Sequence, residues 1–268
     1  MIEIKPLDNQ VQKSSISIIP KIPFTSMVVG GKASGKSTLI LNMLLSDKLF
    51  RNKFEEIYIF SPTASLDEKM NVLRRENILK KNLPLLRAIK RLTKQNNNII
   101  TPNYEIIGSD QIETTLDDHN FVDELDLDFI EDIIDKQKAT IAQFGKKIAN
   151  NVLLVIDDLA SETKTFMSSR FKRLIFLSRH YKLSMIITTQ SYFQVPKAIR
   201  LNNSNLILYD TANDKELKNI YDENSTLTFN DFMRIYRQAV DEPFGFLTVN
   251  YQVPLKYRYA NQFKYFLT

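Results

Sequence analysis

The chain has 268 residues, 43% of them apolar and 25% charged, with a net charge of +5 and an isoelectric point near 9.1. It contains no cysteine, which excludes structural disulfides and thiolate zinc sites and makes a reducing, intracellular setting the simpler expectation. No apolar run reaches the roughly eighteen residues of a membrane-spanning helix, and the opening "MIEIKPLDNQ" lacks the layout of a secretory leader, so a soluble chain without a membrane partner is expected.

Residues 1–23, with Pro6, Pro20 and Pro23, read as an extended arm, and 24–268 as one domain with a variable insertion around 64–150. "FTSMVV" (24–29) reads as a buried strand and "STLILNMLLSD" (37–47) as the helix that follows. Between them Gly30, Gly31, Lys32, Ala33, Ser34, Gly35, Lys36 and Ser37 match G-x-x-x-x-G-K-[ST], the phosphate-binding loop, in its required strand–loop–helix context. Such a loop wraps a phosphate with inward-pointing backbone N–H groups, which glycines permit because no Cβ stands in the way. The helix then directs its positive end at the phosphate. Lys36 is expected to reach the β- and γ-phosphates of ATP, Ser37 to ligate Mg²⁺, and Thr38 to complete the contact set.

Farther along, "EEIYIFSP" (55–62) reads as a strand, and "ENILKKNLPLLRAIKRLTK" (76–94) as a basic helical stretch broken at Pro84. Its Lys80, Lys81, Arg87, Lys90, Arg91 and Lys94 either track DNA phosphates or form a solvated face. "YEIIG" (104–108) is a further strand, "DDHNFVDELDLD" (117–128) an acidic connector, and "FIEDIIDKQKATIAQF" (129–144) an amphipathic helix. "NVLLVIDDLA" (151–160) is a strand covered on both faces that ends in Asp157 and Asp158. With a phosphate loop upstream, Asp157 is expected to hold the Mg²⁺ shell and Asp158 to polarise the attacking water; the alternative is that both cap the next helix. The long stretch between Ser37 and Asp157 leaves room for a strand inserted between the two phosphate-site strands, a mark of motor-type ATPases.

"SSRFKRLIFLSRHY" (168–181) reads as a helix, "LSMIITTQ" (183–190) and "SNLILYD" (204–210) as buried strands, "DKELKNIYDE" (214–223) and "FNDFMRIYRQAV" (229–240) as helices, and "FGFLTVNY" (244–251) as the last strand. Gln190 would emerge beside the γ-phosphate if its strand neighbours the phosphate-loop strand; otherwise it is an ordinary strand-end polar residue. Strands alternating with helices specify an α/β protein with a mainly parallel central sheet flanked by helices. His119 and His180 have no metal-ligand spacing.

Three stretches resemble the viral genome-packaging ATPases of the FtsK–HerA superfamily, the poxvirus-type group of large DNA viruses and virophages. They are the phosphate loop, "VLLVIDDL" (152–159) and "LSRHYKLSMIITTQSYFQVPKAIRLNNSNLILY" (177–209), the last with Arg179, His180, Ser184, Thr189, Gln190, Tyr192, Pro196, Ile199, Arg200 and Asn202 in place. The resemblance covers roughly 24–250 and is vaguest across 64–150. It implies a P-loop NTPase of the additional-strand, RecA/FtsK-like type: a ring-forming homo-oligomer that pumps double-stranded DNA into a preformed capsid. A capsid-vertex partner and a place in the host cytoplasm, viral factory or virion follow from it. It also implies that Asp158 activates water, that Gln190 is the polar sensor, and that an arginine reaches a neighbour's γ-phosphate. Arg179 is the first candidate for that arginine and Arg200 the second; either is otherwise a surface or ion-pair arginine. A helicase or DNA-transfer motor of the same superfamily is the alternative. A small-molecule kinase would need an arginine-rich lid that "SPTASLDEK" (61–69) does not offer. A non-hydrolysing switch would not need Asp158.

Overall fold

The computed structural model describes residues 17–63, 68–95, 115–158 and 163–267; the strand expected at 104–108 and most of the N-terminal arm lie outside them. Thr25–Val29 (β1) leads through the glycine loop into Lys36–Leu45 (α1), and Glu56–Phe60 (β2) follows. Two helices come next, Asn71–Arg75 (α2) and Leu83–Gln95 (α3). Pro84 therefore starts a helix rather than breaking one. Its missing N–H falls in the first turn, where donors have no helical partner, and Asn82 Oδ1 caps the turn by accepting from Leu85 N (3.1 Å). Residues 76–82, expected to be helical, are not.

The acidic connector contains a strand, Phe121–Val122 (β3), parallel to β2. Two residues set among aspartates carry no periodic signal, yet Phe121 is buried and the Arg74 guanidinium lies 3.8 Å from its ring centroid. Leu127–Phe144 (α4), Val152–Ile156 (β4), Thr163–Met167 (α5), Ser169–Ser178 (α6) and Leu183–Thr189 (β5) come next. They are followed by Lys197–Leu201 (α7), Asn205–Tyr209 (β6), Asp214–Asn224 (α8) and Phe229–Val240 (α9). Phe246–Asn250 (β7) is not the last strand: Tyr259–Asn261 (β8) and Tyr265–Phe266 (β9) extend the sheet.

The nine strands form one sheet in the order β3-β2-β4-β5-β1-β6-β7-β8-β9, parallel from β3 to β6 and antiparallel from β6 to β9. An extra strand does separate β1 from β4. It is β5, which follows Asp157 in the chain, whereas β2, from the long stretch after Ser37, lies outside β4.

Burial on both faces explains the unbroken apolar runs. In β4, Val152, Leu154 and Ile156 join one core with α4, α6, α8 and α9, while Leu153 and Val155 join the other with α1. The described part of the arm is tied to this sheet, with Asn250 Nδ2 donating to Ser17 O (3.0 Å) and Lys21 N to Gln252 Oε1 (2.6 Å).

Candidate functional site

Strand register brings the site together. Val29 pairs with Thr189 and Ile156 with Ile187, so the chain leaves β1, β4 and β5 at nearly the same level. Gly30 N still donates to Thr189 O (3.1 Å) before the loop departs. A Cβ on Gly30 would stand 2.5 Å from Ser34 Oγ and 2.8 Å from Tyr209 Cβ, so only glycine fits there. Gly35, at the N-cap of α1, has φ +100°, a region that L side chains rarely adopt. Ala33 also has positive φ (62°). Gly31 meets no neighbour within 4 Å, so its lack of a side chain answers no packing demand within the chain.

Lys36 is buried, and its Nζ donates to Gly30 O (2.7 Å) and Gly31 O (2.8 Å), closing the loop on itself. Burial lowers its pKa from the ordinary 10.5, with Asp158 and Asp157 opposing that shift. Ser37 Oγ donates to Asp157 Oδ2 (3.1 Å), and Thr188 Oγ1 donates to Asp157 Oδ1 (2.6 Å) while accepting from Asp158 N (2.9 Å). Burial raises the pKa of Asp157 above the ordinary 3.8, whereas the Thr188 and Ser37 hydroxyls pull it back. Asp158 is exposed, sits at φ 55°, and receives Gln190 Nε2 on both carboxylate oxygens (3.1 and 2.9 Å). Lys36, Ser37, Asp157, Asp158 and Gln190 thus form one cluster at the carboxyl ends of three adjacent strands. Lys32, Ala33 and Thr38 are exposed around it.

The two arginines lie elsewhere. Arg179 occupies a short 3₁₀ turn (Arg179–Tyr181) before β5 and donates to the Asn202 carbonyl. It is therefore at the amino end of a seven-residue strand, about 20 Å along the sheet from the loop at strand rise. Arg200 is buried, with its donors on Glu223 (3.0 and 2.8 Å) and Val195 O (2.9 Å) and its guanidinium 4.6 Å from the Tyr192 ring centroid. Tyr192 Oη also donates to Glu223 (2.8 Å). Tyr192 and Arg200 are thus two parts of one buried ion-pair network.

No protein-family model matches the chain. An uncharacterized protein of Invertebrate iridescent virus 6, 075L, is 33% identical over 101 residues, which is 37% of this chain and 38% of that protein. The match spans well under half of the relative's length. Among solved structures, the genome packaging NTPase B204 of Sulfolobus turreted icosahedral virus 2 in complex with AMP superposes with a TM-score of 0.52 at 17% identity, covering 86% of this chain and 93% of B204. Its complex with ATP-gammaS gives 0.50 at 16% identity, over 86% of this chain and 93% of B204. The chain shares the fold of B204. Within that fold, Thr188 is the residue that sequence reasoning missed: it locks the backbone of Asp158 to the carboxylate of Asp157. The available signal was a hydroxyl on a strand otherwise apolar at Met185, Ile186 and Ile187.

Proposed function

We propose that this chain is an ATP-driven motor that packages double-stranded viral DNA into a preformed capsid. The observation that carries this is the convergence of Lys36, Ser37, Asp157, Asp158 and Gln190 at the carboxyl ends of three central strands. The fold shared with a genome packaging NTPase supports it.

In this proposal the loop cradles the β-phosphate, and Lys36 exchanges the Gly30 and Gly31 carbonyls for phosphate oxygens, offsetting charge that develops in the transition state. Ser37 and Asp157 would hold Mg²⁺. The fit is chemical: a hydroxyl and a buried carboxylate 3.1 Å apart are hard oxygen donors, and Mg²⁺ takes one or two carboxylates alongside substrate phosphates and water. No three His, Cys, Asp or Glu side chains gather as a metal-holding group among the described residues, which suits an ion that arrives with its nucleotide. When bound, that ion neutralises phosphate charge.

Asp158 accepts the proton of the attacking water. Gln190 Nε2 touches both oxygens of that carboxylate, so the sensor and the base are coupled. Thr189 and Ser191 lead from Gln190 to the buried Glu216 of α8, which accepts from Ser191 Oγ and Tyr192 N (2.6 Å each). That gives the γ-phosphate region a continuous contact with a helix. DNA would be met by basic surface such as Arg87, Lys90 and Arg91, exposed on α3 while Leu85 and Ile89 face inward. A homo-oligomeric ring with Arg179 or Arg200 acting on a neighbour, contact with a capsid vertex, and an intracellular place in the host or virion belong to the same proposal. No helix of the described residues is long and apolar enough to cross a membrane.

The test is phosphate release by the purified chain and by Lys36→Ala, with and without double-stranded DNA. DNA-stimulated turnover lost in the variant is the expected result. Turnover indifferent to DNA would remove the packaging claim and leave an NTPase; no turnover in either condition would leave a switch.

A further inference from the structure

A cleft of about 410 Å³ opens beside the phosphate loop, between Ser34 on one wall and the turn that joins α9 to β7 on the other. Three carboxylates, Asp210, Asp241 and Glu242, and two aromatic side chains, Tyr209 and Phe244, line it. Phe244 has three unusual properties together. It is 69% exposed. Its backbone holds φ +61°, a genuine outlier for a bulky side chain and one that the surrounding structure must enforce. Its ring edge lies 3.3 Å from where a Cβ on Gly35 would stand, directly against the loop. The enforcing element is Gly245, whose N–H donates to Glu242 O (2.8 Å) in a turn so tight that a Cβ there would meet Ala239 O at 2.7 Å. The chain thus spends a strained residue and an obligatory glycine on presenting an aromatic face to solvent next to the phosphate site.

On the far side of the loop stand Asp157 and Asp158, so a nucleotide whose phosphates occupy the loop extends its base away from them. Ser34 lines the cleft, and its hydroxyl is buried without a hydrogen-bond partner. Asp210 already accepts from Tyr236 Oη (3.2 Å) and Glu242 faces Lys264 (3.5 Å). Each carboxylate is therefore oriented and keeps lone pairs for a further donor.

We propose that this cleft is the nucleobase subsite, with Phe244 stacking on the base and the acidic wall accepting from N–H donors on its edge. This rests on the phosphate-site proposal above. Base–aromatic stacking depends on the π-face, which every base has, and not on the phosphates. The affinity for the whole nucleotide and the affinity for its phosphates are thereby separable.

Calorimetric titration of ATP, ITP and inorganic tripolyphosphate, each with Mg²⁺, into the wild-type chain, Phe244→Ala and Phe244→Trp makes that separation. ATP is expected to bind about tenfold more weakly to Phe244→Ala and near normally to Phe244→Trp. Tripolyphosphate should be indifferent to both changes, and ITP should lose affinity with Phe244→Ala as ATP does. Phe244→Gly, which suits the left-handed backbone, should reproduce the loss seen with alanine, and nucleotide-free melting should fall in none of the variants. Equal ATP affinity in wild type and Phe244→Ala, or a parallel loss of tripolyphosphate, would overturn the stacking assignment. A wild type that ignores tripolyphosphate would overturn the phosphate site, and this subsite with it.

Discussion

The two ends of the parallel sheet are both polar and are built on opposite rules. At the amino end of β2 and β4, polar side chains consume one another. Glu56 accepts from Tyr58 (2.9 Å), Lys136 (3.2 Å) and Asn150 (2.5 Å), and Glu55 accepts from the backbone and side chain of Asn151 (2.6 and 3.1 Å). Gln137 donates to Asn150 O (2.8 Å) and Tyr181 O (3.1 Å), and Asn82 to Ile148 O (2.7 Å) and Asn150 Oδ1 (2.6 Å). At the carboxyl end, hydrogen bonds are provisional. Lys36 holds carbonyls of its own loop, Gln190 holds the carboxylate of Asp158, and Ser34 Oγ has no partner. Of the six described non-glycine residues with positive φ, three, Ala33, Asp158 and Phe244, ring this end, where strain is concentrated as expected of a ligand site. One end is a structural clamp; the other is organised for partners the chain does not itself supply.

Substitutions should therefore separate activity from stability. The largest effect is expected from Asp158→Asn, which keeps a hydrogen-bonding group for Gln190 but removes the proton acceptor. Turnover should fall on the order of 10²–10⁴-fold with ATP binding retained, measured by phosphate release and calorimetry. Undiminished turnover would assign the base elsewhere. Lys36→Ala should lower turnover on the order of 10²–10³-fold and weaken tripolyphosphate binding as well. Intact binding of both ligands would break the contrast between the two ends.

At the clamp the expected signature reverses. Gln137→Leu leaves two buried carbonyls unpaired, which costs about 1–3 kcal/mol in denaturant unfolding, with turnover per folded molecule unchanged. A loss of activity without a loss of stability would show that the amino end is not merely structural.

The smallest effect is electrostatic. Burial raises Asp157 above 3.8, so between that value and its folded pKa the native state binds more protons than the unfolded chain. The contribution of this group to stability accordingly falls as pH rises through that window. In the nucleotide-free protein, Asp157→Asn should abolish this component of the pH dependence. A variant whose stability–pH curve parallels the wild type would show that Asp157 is not penalised by burial.

Much of the architecture was legible because it is encoded locally. The apolar tetrad, the glycine loop and α1 follow one another in sequence, and each reports its own geometry: Gly30 and Gly35 stand where only glycine fits, and Lys36 begins the helix. The apolar runs of β4, β5 and β6 could be read because strands buried on both faces need no alternation. Elements stabilised from a distance could not. β3 exists through its pairing with β2, β8 and β9 through a chain of antiparallel neighbours beginning at β6, and Thr188 matters because Ile156 pairs with Ile187. The mistaken break at Pro84 came from weighing its missing N–H without the cap that Asn82 provides.

Local chemistry alone thus specified an α/β chain with a phosphate loop, two strand-end aspartates and a polar residue closing a later strand, since each depends on residues a few positions apart. Strand order was decided only on folding. That β5 rather than β2 lies between β1 and β4, that Arg200 is spent on Glu223, and that Phe244 stands against Gly35 all depend on contacts between remote segments. Side-chain periodicity reports which face of a strand is buried, but which neighbour buries it is settled by the packing of the whole sheet.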